Sequence, residues 1–411
     1  MTPESTQSTL CILHIAETKN AARLVRQAEY LSRHFRTTVC GLEPNPFTGE
    51  LRERAAYVEM SKEPAVPKWK KVWSKFRGYV GLLGVVFPRL YGWSYRRSLR
   101  WSWCRDFLRG HRFDVVLVHD PVAAPLLTDV KECFPETKFI IDWHEYAPRQ
   151  YAMGWRWKYF ERPLTIQILK RFGRRADGHT TISPRFSELY HEEYGFVKPV
   201  SVLNTPMPLP EPRPEKYDDG HIHLIHHGSS SPGRELHRMV EAVGLLPEKF
   251  VLHMMLMKGF PDYIAEMKAL AERVAPGRVF FDEPVNYVDI LTTVARCHIG
   301  VFLLPANTFN HTHSLANKLF DYLCAGLPIL VSPCPDQAEM TRTNGIGWVA
   351  EDFTAESMAR SLAAVTDEEI AGKVEAVKDF TSRVNAEKQH AAVVEMINRL
   401  LGHRTNGGTG L

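Results

Sequence analysis

Residues 313–332 read HSLANKLFDYLCAGLPILVS, and their pattern sets the fold class of the chain. Ser314 is a good helix cap, because its side-chain oxygen can accept from an orphan amide of the first turn. Leu315, Leu319, Tyr322 and Leu323 recur at the spacing of a buried helical stripe. Asn317, Lys318 and Asp321 fall on the other side. Gly326 suits the end of the helix, and Pro328 forbids its continuation. Ile329, Leu330 and Val331 then read as a buried strand. A helix opening at a Ser cap offers unpaired amides to an anion. Lys318 adds charge for phosphate and Asp321 a carboxylate for sugar hydroxyls. Together these groups suit a nucleotide diphosphate, although the spacing by itself fits any α/β protein.

The same strand-then-helix rhythm runs through the chain. Strand-like runs cover residues 11–15, 38–42, 115–118, 139–141, 179–182 and 200–203, then 221–226, 251–257, 279–281, 300–304 and 329–331. Helical periodicity fills 21–34, 123–133 and 158–176. Repeated alternation of this kind predicts parallel sheets with helices on both faces. Between the halves, PMPLPEPRPEKYDDG (206–220) is rich in proline and charge and reads as a linker. The expected architecture is therefore α/β, with two Rossmann-like doubly wound domains at 1–205 and 221–380. Ligands of such sheets bind at the carboxyl ends of the strands, here in a cleft between the two domains. A helix within 381–403 follows, and the tail 404–411 reads as disordered.

Composition narrows the class. The chain has 411 residues, 44% of them apolar, enough for two ordinary cores. A formal charge of +4 does not by itself argue for nucleic acid. Seven cysteines are scattered without a CxxC pair, which suggests reduced, buried thiols and no cysteine zinc site. The polar start MTPESTQSTL is not a signal peptide, and no apolar run reaches the roughly 20 residues of a spanning helix. A cytoplasmic location is expected.

Residues 64–108 form a basic aromatic insertion. From Lys68 to Arg105 there are ten Lys or Arg residues and no Asp or Glu. Trp69, Trp73, Trp93, Trp101 and Trp103 lie in the same stretch. Basic residues attract anionic headgroups, and Trp prefers the interfacial zone. Docking at the inner membrane face, with binding of a lipid-linked acceptor, ranks ahead of an ordinary packed insertion. Single-stranded nucleic acid ranks third, since Leu82, Leu83, Val85 and Val86 add an aliphatic patch that it does not need.

Two further segments carry chemistry. IHHGSSSPGRE (225–235) leads a strand into Gly228, three serines and Pro232 at an expected helix start. Small residues let a phosphate approach the backbone, and Arg234 adds charge. Lys258 follows another strand beside Gly259. FIIDWHEYAP (139–148) runs a buried strand straight into Asp142, His144 and Glu145, with His119-Asp120 ending the preceding strand. Titratable groups at such a strand end are expensive without a role or a partner.

The string Ser-Leu-x-Asn-Lys-Leu-Phe-Asp-Tyr-x-x-Ala-Gly-Leu-Pro resembles the donor-nucleotide segment of GT-B glycosyltransferases of the family 4 type. That resemblance implies a ribose-binding role for Asp321 and donor contacts from Gly228, Arg234, Lys258, Val285, Ser314, Leu315 and Lys318. The Asp-x-His-Glu of residues 142–145 resembles the cleft-facing loop of such enzymes, which makes Glu145, His144 and Asp142 catalytic candidates. Asn204-Thr205-Pro206 resembles a turn of the same family. One departure is that His313 stands where the family has a glutamate. The resemblance implies a metal-independent glycosyltransferase that needs no cofactor and moves a sugar from a UDP- or GDP-type donor to a surface glycan or lipid-linked acceptor. Inverting and retaining chemistry both stay open. Two other readings are a catalytically silent GT-B scaffold subunit and a nucleotide-sugar 2-epimerase.

Overall fold

The computed structural model describes residues 7–15, 21–42, 45–60, 99–150 and 154–403. It contains two compact units. One holds residues up to Val202 together with those from His390 onward, and the other spans Leu203–Gln389.

The first unit is built on a seven-stranded sheet. Its strands are β1 (Thr9–Leu13), β2 (Arg36–Gly41), β3 (Ala56–Glu59), β4 (Val115–His119), β5 (Lys138–Trp143), β6 (Gly178–Thr181) and β7 (Val200–Ser201). They lie side by side in the order β3-β2-β1-β4-β5-β6-β7, and every pairing is parallel. The sequence order reverses beside β1, which marks a topological switch point. Leu10, Ile12, Val115, Leu117 and Ile140 fill one core. Val393, Met396 and Ile397 of the last helix, Ala386–Leu401, join that core.

The second unit carries six strands: β8 (Ile222–Ser229), β9 (Phe250–Met257), β10 (Val279–Phe280), β11 (Ile299–Phe302), β12 (Ile329–Val331) and β13 (Gly347–Val349). Their order is β10-β9-β8-β11-β12-β13, again all parallel. Apolar clusters cover the sheet around Leu224, Leu252 and Val301 and around Ile225, Phe302 and Ile329. These side chains alternate along β8 and β11, as the two-residue period of a strand requires.

Residues 206–220, expected as a linker, are fastened to the second unit. Leu209 donates its amide to the carbonyl of Cys324 at 2.8 Å, and Tyr217 donates to that of Arg296 at 2.9 Å. Leu209 and Tyr217 also pack against its core. Polar composition hid two apolar anchors there. Among the tryptophans of the basic segment, Trp69, Trp73 and Trp93 lie outside the described residues. Trp101 and Trp103 are half-buried on the helix Leu99–Gly110, where Trp103 stacks on Phe107 with ring centroids 5.2 Å apart.

Candidate functional site

Each unit gathers polar side chains at the carboxyl ends of its strands. In the first unit the parallel register sets His119 opposite Asp142, and Asp142 opposite Thr180. The Asp142 carboxylate is fully buried. Arg23 donates to both its oxygens at 2.6 Å, Gln27 donates at 3.0 Å and Thr180 at 2.6 Å. Arg23 also donates to the carbonyl of Val202 at 2.7 Å. Burial opposes charge on Asp142, but the Arg23 guanidinium prevails and holds its carboxyl well below the usual range. Asp142 is thus a fixed anion, not a proton acceptor.

That anion organises a histidine group. His119 Nδ1 lies 2.7 Å from His144 Nε2, and each of these atoms is within 3.7 Å of Asp142 Oδ2. His14 meets His119 edge-on at 5.0 Å between centroids and stacks on His144 at 6.2 Å. Burial drives the His119 pKa well below its ordinary value, Asp142 opposes this, and the neighbouring histidines lower it further, so His119 is neutral. Burial also works against charge on His144, but the Asp142 hydrogen bond and the charges of Asp120 and Asp142 outweigh it and raise that pKa. His144 keeps about 29% of its side chain in solvent. Of the residues singled out here, it is the one equipped to exchange a proton or to donate to an oxyanion.

Asp120 supports His144 at a cost. Its carboxylate is 3.7 Å from His144 Nδ1. Its backbone sits at φ 69°, ψ 152°, a region otherwise left to glycine. Strain of that sort costs roughly 1–3 kcal/mol and collects at functional sites. Glu145 is half-buried, and its main-chain carbonyl accepts from the Tyr190 hydroxyl at 2.7 Å, which anchors the loop.

In the second unit the centre is Lys318. Its side chain lies over Gly228 at the end of β8. A Cβ at position 228 would overlap Lys318 Cε and stand 2.6 Å from Nζ, and Gly228 has φ +125°. Glycine is therefore required there twice over. The ammonium stands 5.5 Å from the Phe302 ring centroid, and among the described residues no carboxylate lies within ion-pair distance of it. Burial and then the charge of Arg234 push its pKa down to about 8, against the charge of Asp321, which raises it. Asp321 is buried, with its carboxylate 3.5 Å from Nε2 of His227. Burial first, then Lys318 and His226, keep His227 neutral. Tyr322 fixes this end of β8 by accepting from the His227 amide at 3.0 Å. Its ring fits because residue 300 is glycine, where a Cβ would collide with it.

The structure corrects the reading of Ser314. It ends the short helix Phe309–His313, which Thr308 caps by accepting from the His311 amide. Residues 314–316 are then outside helical structure, and the next helix is Asn317–Cys324, preceded by Ala316 with no side-chain cap. Leu315 is a core residue. Asp321, read as facing away from the apolar stripe, is buried because Phe320 and Cys324 are buried too and the helix is covered nearly all round. Pro232–Arg234 forms a single 3-10 turn, and the α-helix begins only at His237. Arg234 is half-buried, and its charge lowers the pKa values of Lys318, His226 and His311. Lys258 instead lies exposed, 2.6 Å from the equally exposed Glu283. Val285 is half-buried against the core. His313 bonds Asp336 at 3.1 Å.

Residues 21–206 match the family model described as glycosyl transferase 4-like domain. Solved structures match nearly end to end. HepE of Anabaena in complex with UDP aligns with a TM-score of 0.67 at 11% identity, covering 95% of this chain and 100% of that one. This chain has the GT-B fold. A glycosyltransferase from Rickettsia africae aligns at a TM-score of 0.62 and 11% identity over 96% and 99% of the two chains. WaaG, a glycosyltransferase involved in lipopolysaccharide biosynthesis, aligns at 0.60 and 12% over 95% and 99%. HepE has also been solved with UDP-glucose. No curated protein matches the sequence.

Sequence reasoning missed His14, Arg23, Gln27, Thr180 and His227 in this GT-B chain. His14 and His227 close buried strands, as Asp142 does, and that shared position was the available signal. Arg23 and Gln27 are four apart on one helix, a spacing that places both on one face. Nothing local marked that face as meeting a buried carboxylate.

Proposed function

We propose that this protein is a glycosyltransferase that moves a sugar from a nucleotide-diphosphate donor to a glycan or lipid-linked acceptor. The carrying observation is Lys318, a half-buried ammonium laid over Gly228 without a carboxylate partner among the described residues. In this reading the donor pyrophosphate supplies the missing anion, with Arg234 beside it and Asp321 holding the ribose. Backbone amides at the uncapped start of Asn317–Cys324 add donors. Lysine, arginine and amides then meet the leaving diphosphate without a metal. The UDP seen in HepE favours a uridine donor.

In the first domain His144 exchanges the acceptor proton or contacts the donor sugar, Asp142 fixes its charge, and Glu145 flanks it. Acceptors at a membrane face agree with Trp155 and Tyr159, which are 71% and 59% exposed beside Arg156 and Lys158. No helix among the described residues is long and apolar enough to cross a membrane.

A panel of UDP- and GDP-sugars, read by released nucleotide with mixed lipid acceptors, tests the proposal. Release with at least one donor, abolished in Lys318→Met, is the expected result. Absence of nucleotide binding by calorimetry for every donor would overturn it and favour the scaffold reading, which rests on His313 in place of the family glutamate. Free isomerised nucleotide-sugar without transfer would favour an epimerase.

A further inference from the structure

The amino-terminal end of the second sheet holds a histidine group that the transfer machinery does not use. Residues 219–223 read Asp-Gly-His-Ile-His. Asp219 Oδ1 lies 3.2 Å from His221 Nδ1 and 2.9 Å from His223 Nε2. Three ligand atoms, one from each residue, fall within 4.8 Å of one another. His221 immediately precedes β8 and His223 is its second residue, and their rings meet edge-on with centroids 6.3 Å apart. His223 and Gly228 are five residues apart on this strand, about 17 Å. The group is therefore distinct from the donor site.

Behind it runs a relay, buried at His223 and His253 and ending at the exposed Asp282. His223 Nδ1 is 2.9 Å from His253 Nε2, and His253 Nδ1 is 2.9 Å from Asp282 Oδ2. Tyr217 stacks on both rings, at 4.3 and 5.1 Å, and fixes their planes. Counting protons exposes a deficit. The chain Asp219–His223–His253–Asp282 has three links, and each needs a proton on a ring nitrogen. Two neutral imidazoles carry only two. If the two inner links are made, both rings use their protons toward Asp282, and His223 Nε2 turns a lone pair toward the Asp219 carboxylate. Two acceptors then face each other at 2.9 Å. A third proton would relieve this. A metal cation relieves it without protonation.

We propose that Asp219, His221 and His223 bind a divalent transition metal, zinc being the natural match for one carboxylate and two imidazoles. The inner links give His223 the tautomer a ligand needs, with its far N–H held by a histidine–carboxylate pair. Such outer partners raise ligand basicity and orient the ring. The set leaves further coordination positions open. Because the strand start joins residues 206–220 to the sheet, the bound metal would staple that segment to β8. The proposal does not depend on the donor assignment.

Zinc titration of the untagged, metal-stripped full chain by calorimetry tests it. Wild type is expected to bind one zinc ion that both Asp219→Asn and His221→Ala weaken at least tenfold. These two residues are exposed, so the fold should survive. Asp282→Asn cannot touch the metal, yet should weaken it about tenfold through the relay. Identical titrations for wild type and the first two variants would overturn the proposal, as would no zinc uptake by wild type at about 100 µM.

Discussion

Replacing Lys318 separates a binding role from a structural one, because the two predict opposite signs. In Lys318→Met the apolar stem is kept and the ammonium is lost. A charge-assisted hydrogen bond contributes about 1.5–3 kcal/mol. At 1.4 kcal/mol per tenfold, the nucleotide dissociation constant should rise about 10- to 150-fold. The unliganded fold should not suffer, since burial already disfavours the charge on Lys318 and methionine keeps the apolar stem. The pH dependence adds a second arm. Burial and Arg234 set the Lys318 pKa at about 8. The free protein holds its cation below that pH and loses it above, while a bound diphosphate would raise the pKa. Donor affinity should therefore be level below pH 8 and fall by up to about tenfold per pH unit above it. Lys318→Arg should retain affinity and flatten the profile, because a guanidinium does not titrate there. Isothermal titration with UDP from pH 7 to 9.5, beside thermal melts, measures both arms. An unchanged dissociation constant in Lys318→Met, or a flat wild-type profile, would refute the reasoning.

Gly228→Ala should also weaken UDP binding, since the new methyl displaces the ammonium and φ +125° resists it; equal affinity by calorimetry would show that the lysine sits elsewhere. Asp142→Asn leaves the Arg23 guanidinium buried and unmatched, at a cost of about 3–5 kcal/mol in urea denaturation. His144→Gln should lower the transfer rate by about 10²–10⁴ with donor affinity intact, as read by initial rates and titration. Because its folded pKa is raised, wild-type His144 contributes stability below its unfolded value that fades as pH climbs through the folded one, and the variant should lose that slope. Asp321→Asn should weaken UDP binding by roughly 1.5–3 kcal/mol, and no change would remove Asp321 from the ribose.

Much of this fold is legible from periodicity. Apolar runs such as 115–118 and 329–331 identify buried parallel strands, because such strands are hydrophobic on both faces. β3 and β13 escape notice because each is an edge strand of only four or three residues, too short to show a period. The helix after His313 is evident, but its start is not. Ser314 has the chemistry of a cap, whereas Thr308 holds the capping geometry one short helix earlier. At the site, strand ends reveal Asp142, His144 and Gly228. Their partners come from distant segments: Arg23 is 119 residues from Asp142. Charge compensation across such separations leaves no local trace, so the division of labour between Asp142 as fixed anion and His144 as proton carrier emerges only from the packed structure.

The helix Ala386–Leu401 supplies Val393, Met396 and Ile397 to a core otherwise made from the first half of the chain. During synthesis that core must wait, because all of Leu203–Gln389 leaves the ribosome before the closing piece does. The second lobe can finish first, while the earlier-made lobe keeps an unsealed apolar flank until residues 386–401 have been made. Truncations that spare every candidate site residue but stop near residue 389 should therefore behave as assembly defects, open to rescue by the missing helix added as a separate peptide.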